Sequence, residues 1–268
     1  WIAYQTLCGS IYQNHPYGRS ILGDQPRLEQ LTPNQMRCFH RTYYQPENMC
    51  VAIIGGIEPQ PALEIIRQSF REFPVPSESP GNLVAAEPPM IEIRRSQVYL
   101  PHLEHSRLLM GWTGPGCDRL EDAFGLDLLS VILAGGRCSR LVRQLREEAQ
   151  IVLDINSNFS LQRDSSLFTI GAWLSSSQIG TIEAIICEHL QHLHDHPVTP
   201  AELHRTQQLL ANDYIFSTET PGQLAGLYGY YQTLRAADLA TIYPQVIQSF
   251  QPSDLQRLAR QYLSPERY

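Results

Sequence analysis

The sequence contains no lysine: all 20 of its cationic residues are arginine. That excludes every mechanism built on a lysine amine, including Schiff-base chemistry, the Walker A phosphate loop and the Ser–Lys dyad. Cysteines in a C-x-x-C arrangement are also missing. The six present (Cys8, Cys38, Cys50, Cys117, Cys138 and Cys187) are scattered, which argues against a disulfide framework or a thiolate zinc site, and they read as reduced residues. No run approaches the roughly 18 uninterrupted apolar residues of a membrane-spanning helix. The net charge is −7 and there is no basic stripe, which excludes a general nucleic-acid binder.

What is present suits a packed core. Of 268 residues, 43% are hydrophobic, enough for one large domain or two of ordinary size. The chain opens at Trp1 inside a helical pattern, so the sequence does not show whether a targeting signal precedes it. Residues 1–13 read as the end of a helix and "NHPYGRSILGDQP" as a turn-rich stretch. Thr32-Pro33-Asn34-Gln35 is a capping box with Pro at the first helical position, and Met36, Phe39 and Tyr43 share one face of the helix it starts. "MCVAIIGGI" (49–57) predicts a buried strand, and a helix through Leu63, Ile66 and Phe70 follows. Residues 74–90 hold five prolines and predict a linker.

Beyond it, "IEIRRSQVYL" and "SRLLMGW" predict two strands. Asp118 and Glu121 suggest a capping box for a helix through Phe124, Leu128 and Val131, and "SRLVRQLREEA" predicts a second helix. "VLDINSNFS" and "SLFTIGAWL" alternate as a hairpin pair. Helices are predicted over 177–194, 199–217 (opened by a capping box of Thr199, Pro200 and Glu202), about 222–234, 236–249 and 252–263. The fold class is therefore α+β, with mainly antiparallel strands covered by helices on one face. The segment 31–49 also resembles 250–268 at a constant offset, 252 − 33 = 219, with Met36, Phe39 and Tyr43 matching Leu255, Leu258 and Tyr262. This predicts a duplication, in which the first copy lacks most of its domain before residue 31 and the second stops where its strand should begin.

Three groups could carry chemistry. "PHLEHS" places His102, Glu104 and His105 together, the residue types zinc prefers. The histidines are three apart, however, and Pro101 puts them at a strand-to-strand turn, so the plainer reading is a solvated turn. His189, His192 and His196 form a stripe that one helix could present to a metal, or that a solvated helix C-terminus would favour for its dipole. His15 and Arg19 in "HPYGR" could be a base and an anion clamp; the plainer reading is a structural turn set by Pro16 and Gly18.

"HPYGRSILG" followed by "LTPNQMRCFHRTYYQPENMCVAIIGGIEP", together with "LAGGRCSRLVRQLREE" and "PVTPAELHRTQQLL", resembles the insulinase and mitochondrial-processing-peptidase family of zinc peptidases across nearly the whole chain. The resemblance implies two homologous α+β domains around a peptide-binding chamber. Residues 1–73 would be the C-terminal part of the first, metal-bearing domain, 74–90 the linker, and 91–268 the second, metal-less domain. The zinc motif of the family, H-x-x-E-H, does not occur in these 268 residues. The chain alone is therefore expected to be inactive and to hold neither a catalytic residue nor a metal, with zinc belonging to the full-length parent.

The resemblance further implies an Arg and, seven residues later, a Tyr that hold the substrate backbone. Arg146 matches the Arg, but Leu153 stands at the Tyr position and has no hydroxyl to donate, so the pair is broken and the plainer reading of Arg146 is a surface ion-pairing residue. The implied partners are a peptide or unfolded polypeptide and a homologous subunit in a homo- or heterodimer. The implied compartment is bacterial cytoplasm or periplasm, which the sequence does not decide. The alternative function is a non-catalytic homologue that binds peptide or partners an active peptidase. An unrelated α+β binding protein is the third reading.

Overall fold

The computed structural model describes residues 1–73, 84–234 and 237–268. In chain order the elements are α1 (Ile2–Ile11), α2 (Gln25–Gln30), α3 (Pro33–Tyr43), α4 (Pro59–Ser69), β1 (Ser106–Gly114), α5 (Leu120–Ala134), β2 (Val152–Ser160), β3 (Ser166–Leu174), α6 (Ile179–Asp195), α7 (Pro200–Ser217), α8 (Pro221–Thr233), α9 (Leu239–Ser249) and α10 (Pro252–Tyr262). The α+β class read from the sequence holds.

Packing sorts the chain into two compact units. One comprises residues 1–20, 85–211 and 243–268, and the other 21–84 and 212–242. This grouping follows contacts rather than chain order, so it cuts across the 1–73 and 91–268 division drawn from the sequence. Most of the expected linker, 74–83, lies outside the described residues. Its remainder is an anchored segment rather than a loose one. Glu87 is buried and accepts hydrogen bonds from the main-chain N–H groups of Gln13, Asn14 and His15 at 3.1, 3.0 and 2.8 Å.

The first unit is built on a three-stranded antiparallel sheet of order β1-β3-β2. β2 and β3 form the expected hairpin, and β3 is central because β1 pairs along its other edge from Ser106↔Leu174 to Gly114↔Ser166. Alternation sends Met110, Trp112, Ile155, Phe168, Ile170 and Ala172 to one face, where α5 and α10 bury them. The indole N–H of Trp112 is satisfied within this core by the Ser264 carbonyl at 2.8 Å. α1 lies against part of the opposite face. It sits over Gly111, where a Cβ would lie 2.5 Å from Cδ1 of Ile11, and its Cys8, Ile11 and Tyr12 cluster with Met90 and Leu167.

Two expected strands do not form. Residues 49–57 and 91–100 enter no ladder, because among the described residues no neighbouring strand closes their backbone hydrogen bonds. Val51, Ile53 and Ile54 are consequently exposed. The predicted Asp118–Glu121 capping box is also not made: Arg119 is the N-cap of α5 without a side-chain bond, and a 3₁₀ turn (Cys117–Arg119) leads into the helix. The boxes at Thr32–Gln35 and Thr199–Glu202 are present, and a further one at Thr220–Gln223 starts α8. The second unit contains α2, α3, α4 and α8, and its α3 presents Met36 and Phe39 at 62% and 58% exposure. All six cysteines are free.

Replacing Glu87 by Ala leaves the buried His15 N–H, and the half-solvated N–H groups before it, without their acceptor. The expected loss is about 2 kcal/mol of unfolding free energy. Chemical denaturation of the chain checks this, with the exposed Glu92→Ala as a control expected to stay within about 0.5 kcal/mol.

Candidate functional site

Arg146 lies in the segment predicted as an ordinary helix, which is instead a π-helical stretch, Val142–Glu148. Its wider turn is closed by the Ala149 N–H bonding to the Gln144 carbonyl at 2.9 Å. Gln150 follows in the left-handed region with φ 52°, the one non-glycine residue so placed among those described. β2 then begins with a bulge, in which Val152 pairs with Leu174 and Asp154 with the next residue, Trp173, leaving Leu153 unpaired and 57% exposed. A π turn, a left-handed residue and a bulge thus occur within 13 residues of chain (142–154) and surround Arg146. Departures from regular backbone of this kind recur at functional sites.

The Arg146 guanidinium is about one-third exposed. Nε and Nη2 donate to Glu147 Oε1 at 3.1 and 2.9 Å, and Nη1 donates to Asp154 Oδ1 at 3.3 Å. Glu147 also accepts from Arg137 Nη2 at 2.8 Å. Hydrogen bonds from Arg137 and then Arg146 hold the Glu147 carboxyl below the usual range. Arg146 is therefore fixed in direction by two carboxylates, while Leu153 brings no hydroxyl beside it.

The other sequence candidates separate clearly. His102, Glu104 and His105 are exposed in the turn before β1. His15 is a buried structural residue. Its Nδ1 accepts from the Tyr17 N–H at 3.2 Å, its ring lies 4.1 Å from that of Tyr17, and Nε2 is 3.6 Å from Asp164. Arg19 caps the adjoining 3₁₀ turn through its main-chain N–H. His189, His192 and His196 do not converge. His189 Nε2 bonds to Gln144 at 2.6 Å, His192 Nδ1 lies 3.3 Å from Arg140 Nη1, and the His192 and His196 rings stack at 4.6 Å. Among the described residues no three His, Cys, Asp or Glu side chains form a group that could hold a metal ion. Among the described residues the donor set therefore does not fit zinc. Among the described residues no helix is long and apolar enough to cross a membrane.

Comparison with known proteins identifies the class. A family profile described as the peptidase M16 inactive domain matches residues 30–210. Zinc protease PqqE of Helicobacter pylori is 24% identical over 261 residues, 97% of this chain and 59% of that protein. An uncharacterized zinc protease of Streptomyces coelicolor is 23% identical over 95% of this chain and 56% of its own length. Among solved structures, a protease from Helicobacter pylori superposes with a TM-score of 0.89 at 24% identity, over 98% of this chain and 64% of that one. The peptidase M16 inactive domain from Pseudomonas fluorescens gives 0.82 at 18% identity, over 99% and 63%. The fold is thus that of the M16 inactive domain, and the chain belongs to the peptidase M16 family. It spans between 56% and 64% of the length of these four relatives.

His189, bonded to Gln144, and Glu202, bonded to Arg140, set a pH dependence. Burial lowers the His189 pKa to about 4, with Arg140 and His192 adding to it. Burial would raise Glu202, but hydrogen bonds from Arg140 and the Thr199 backbone outweigh it and carry its pKa to about 2. For both groups the unfolded chain binds the proton more readily, so stability falls on acidification. The His189 contribution is lost as pH drops from about 6.5 to about 4, and that of Glu202 from about 4.5 to about 2. Unfolding midpoints measured from pH 7 to pH 4 should decline, and His189→Gln should flatten the part above pH 4.5.

Proposed function

We propose that this chain is the metal-free part of an M16-type zinc endopeptidase, that it walls a chamber for extended polypeptide, and that Arg146 contacts the substrate backbone there. In this reading residues 1–73 finish a first, zinc-bearing domain, 91–268 form a second homologous one, and the zinc-bearing segment lies outside these 268 residues. The family match and the names of the relatives support the peptidase assignment. The observation that carries the Arg146 role is its setting, a guanidinium held between Glu147 and Asp154 on irregular backbone next to an exposed, bulged Leu153. The duplication is supported by α3 and α10, which share a length of 11 residues, an N-terminal Pro and the constant offset.

Arg146 can donate to a peptide carbonyl once substrate displaces Asp154, but Leu153 cannot add a second donor. We therefore assign the missing hydroxyl to a homologous partner subunit, so that the parent works as half of a pair. Leu153 equally favours a second reading, in which the parent is a non-catalytic partner of an active peptidase; its zinc content separates the two.

The test uses the full-length parent, assayed alone and with its closest homologue from the same source. The expected results are one bound zinc per parent and peptidase activity only in the pair. Arg146→Ala should raise KM about three- to tenfold, and Leu153→Tyr should change the paired enzyme less than about twofold. A hydroxyl not already supplied by the partner would be worth about 2.7–4 kcal/mol in the transition state, so a large gain from Leu153→Tyr would overturn the pairing. Full activity of an unpaired monomer would do the same. A zinc-free parent would establish the second reading. The 268-residue chain itself should show no chelator-sensitive cleavage of unfolded polypeptide.

A further inference from the structure

The sheet face turned away from α5 and α10 is only half covered. α1 seals the end around Gly111 and Leu167. The other end is open, and its cross-strand rows follow from the register. Arg107, Trp173 and Asp154 form one row and Leu109, Gly171 and Asn156 the next; in the third, Gly111 lies under α1 while Asn158, across Thr169, stays exposed. Trp173 is 44% exposed, and Asn156 and Asn158 are exposed beside it. The Arg107 guanidinium lies over the Trp173 ring, 4.3 Å from its centroid. Among the described residues no carboxylate pairs with Arg107, whereas Asp154, the acid in its row, is engaged by Arg146.

A guanidinium held over an indole loses side-chain freedom before any ligand arrives. That is a preorganised carboxylate clamp. Asn156 and Asn158 alternate along one strand, so their carboxamides repeat every two residues, about 6.6 Å. The main-chain amides of another extended segment have the same repeat, and a carboxamide both donates and accepts.

We infer that the open end of this face binds an extended acidic polypeptide segment, with Asn156 and Asn158 pairing to its main chain and Arg107, seated on Trp173, selecting a carboxylate side chain. The inference rests on the peptide-chamber reading above and adds a substrate preference to it. The occupant follows from complementarity: an unpaired, oriented cation next to a ladder of neutral amides matches a carboxylate on an extended backbone, and a basic segment would meet Arg107 unfavourably.

The test is fluorescence anisotropy with the 268-residue chain and short labelled unstructured peptides that differ only in a central Glu, Gln or Arg. The Glu peptide should bind about three- to tenfold more tightly than the Gln peptide, and the Arg peptide most weakly. Arg107→Gln should abolish the Glu-over-Gln preference and leave Gln-peptide affinity within about twofold. Asn156→Ala with Asn158→Ala should weaken Glu and Gln peptides by the same factor and leave the preference intact. All three positions are exposed, so the variants should keep the wild-type circular dichroism and melting profile; Arg107→Lys, which keeps the charge but loses the planar, forked guanidinium, should retain only part of the preference. Equal affinity of wild type for Glu and Gln peptides, or a preference that survives in Arg107→Gln, would overturn the inference and leave the peptide-chamber reading standing. Absence of binding to all three peptides would overturn both.

Discussion

A strand persists only where a neighbour closes its main-chain hydrogen bonds, and that constraint decides which apolar runs of this chain become sheet. β3 has a partner on each edge, and its Phe168, Ile170 and Ala172 are buried under α5 and α10. Residues 49–57 are as apolar as β3 but have no neighbour among the described residues, so they stay outside any ladder with Val51 and Ile53 in solvent. Pairing, rather than propensity, separates the two. α1 and the Glu87 segment then settle on what the sheet offers. α1 reaches it because residue 111 has no side chain, and Glu87 fixes the turn after α1 through three N–H groups.

The two similar helices show the same constraint at the next level. α3 and α10 begin with Pro, run 11 residues and carry apolar stripes at matching positions. In α10 the stripe meets the sheet-and-helix core, and Leu255 and Leu258 are completely buried. In α3 the matching Met36 and Phe39 are mostly exposed. An amphipathic pattern announces that a helix has a face to bury, but a partner must exist for the burial to occur. Hence the helices, the hairpin and the α+β class were legible in the sequence, along with two capping boxes. The Thr220–Gln223 box has its own local signal, Thr-Pro-Gly-Gln. The strand expectations at 49–57 and 91–100 failed because a partner is not a local property. The Asp118–Glu121 box failed because a 3₁₀ turn occupies its place, with the Cys117 N–H bonded to the Arg163 carbonyl at 2.9 Å.

The candidate site was legible in its residue types and hidden in its backbone. Arg146 and the Leu at the seventh position after it can be counted along the sequence. The π turn, the left-handed Gln150 and the bulge cannot, because each reflects how the helix end is fitted to the first residues of β2. Arg107 and Trp173 are 66 positions apart, and only the β1–β3 register brings them together. The histidine stripe on α6 failed for a converse reason. Helical spacing put three rings on one side, but Gln144 and Arg140 from the neighbouring segment hold two of them apart.

The bulge at Leu153 ties the two halves of the site together. Side chains alternate along a strand, so a regular β2 starting with Val152 in the core would also send Asp154, Asn156 and Asn158 into the core. The extra residue reverses the alternation after Val152. Ile155 enters the core instead, and Asp154, Asn156 and Asn158 emerge on the open face. Asp154 can then reach back to Arg146 while standing in the same cross-strand row as Trp173 and Arg107. Leaving Leu153 out of the ladder therefore keeps three polar side chains out of the hydrophobic core, puts Leu153 in solvent beside Arg146, and makes the arginine site and the open sheet face one continuous surface. A β2 in which Leu153 paired regularly would bury an Asp and two Asn side chains, and the penalty for unsatisfied buried polar groups explains why the bulged backbone is the stable arrangement.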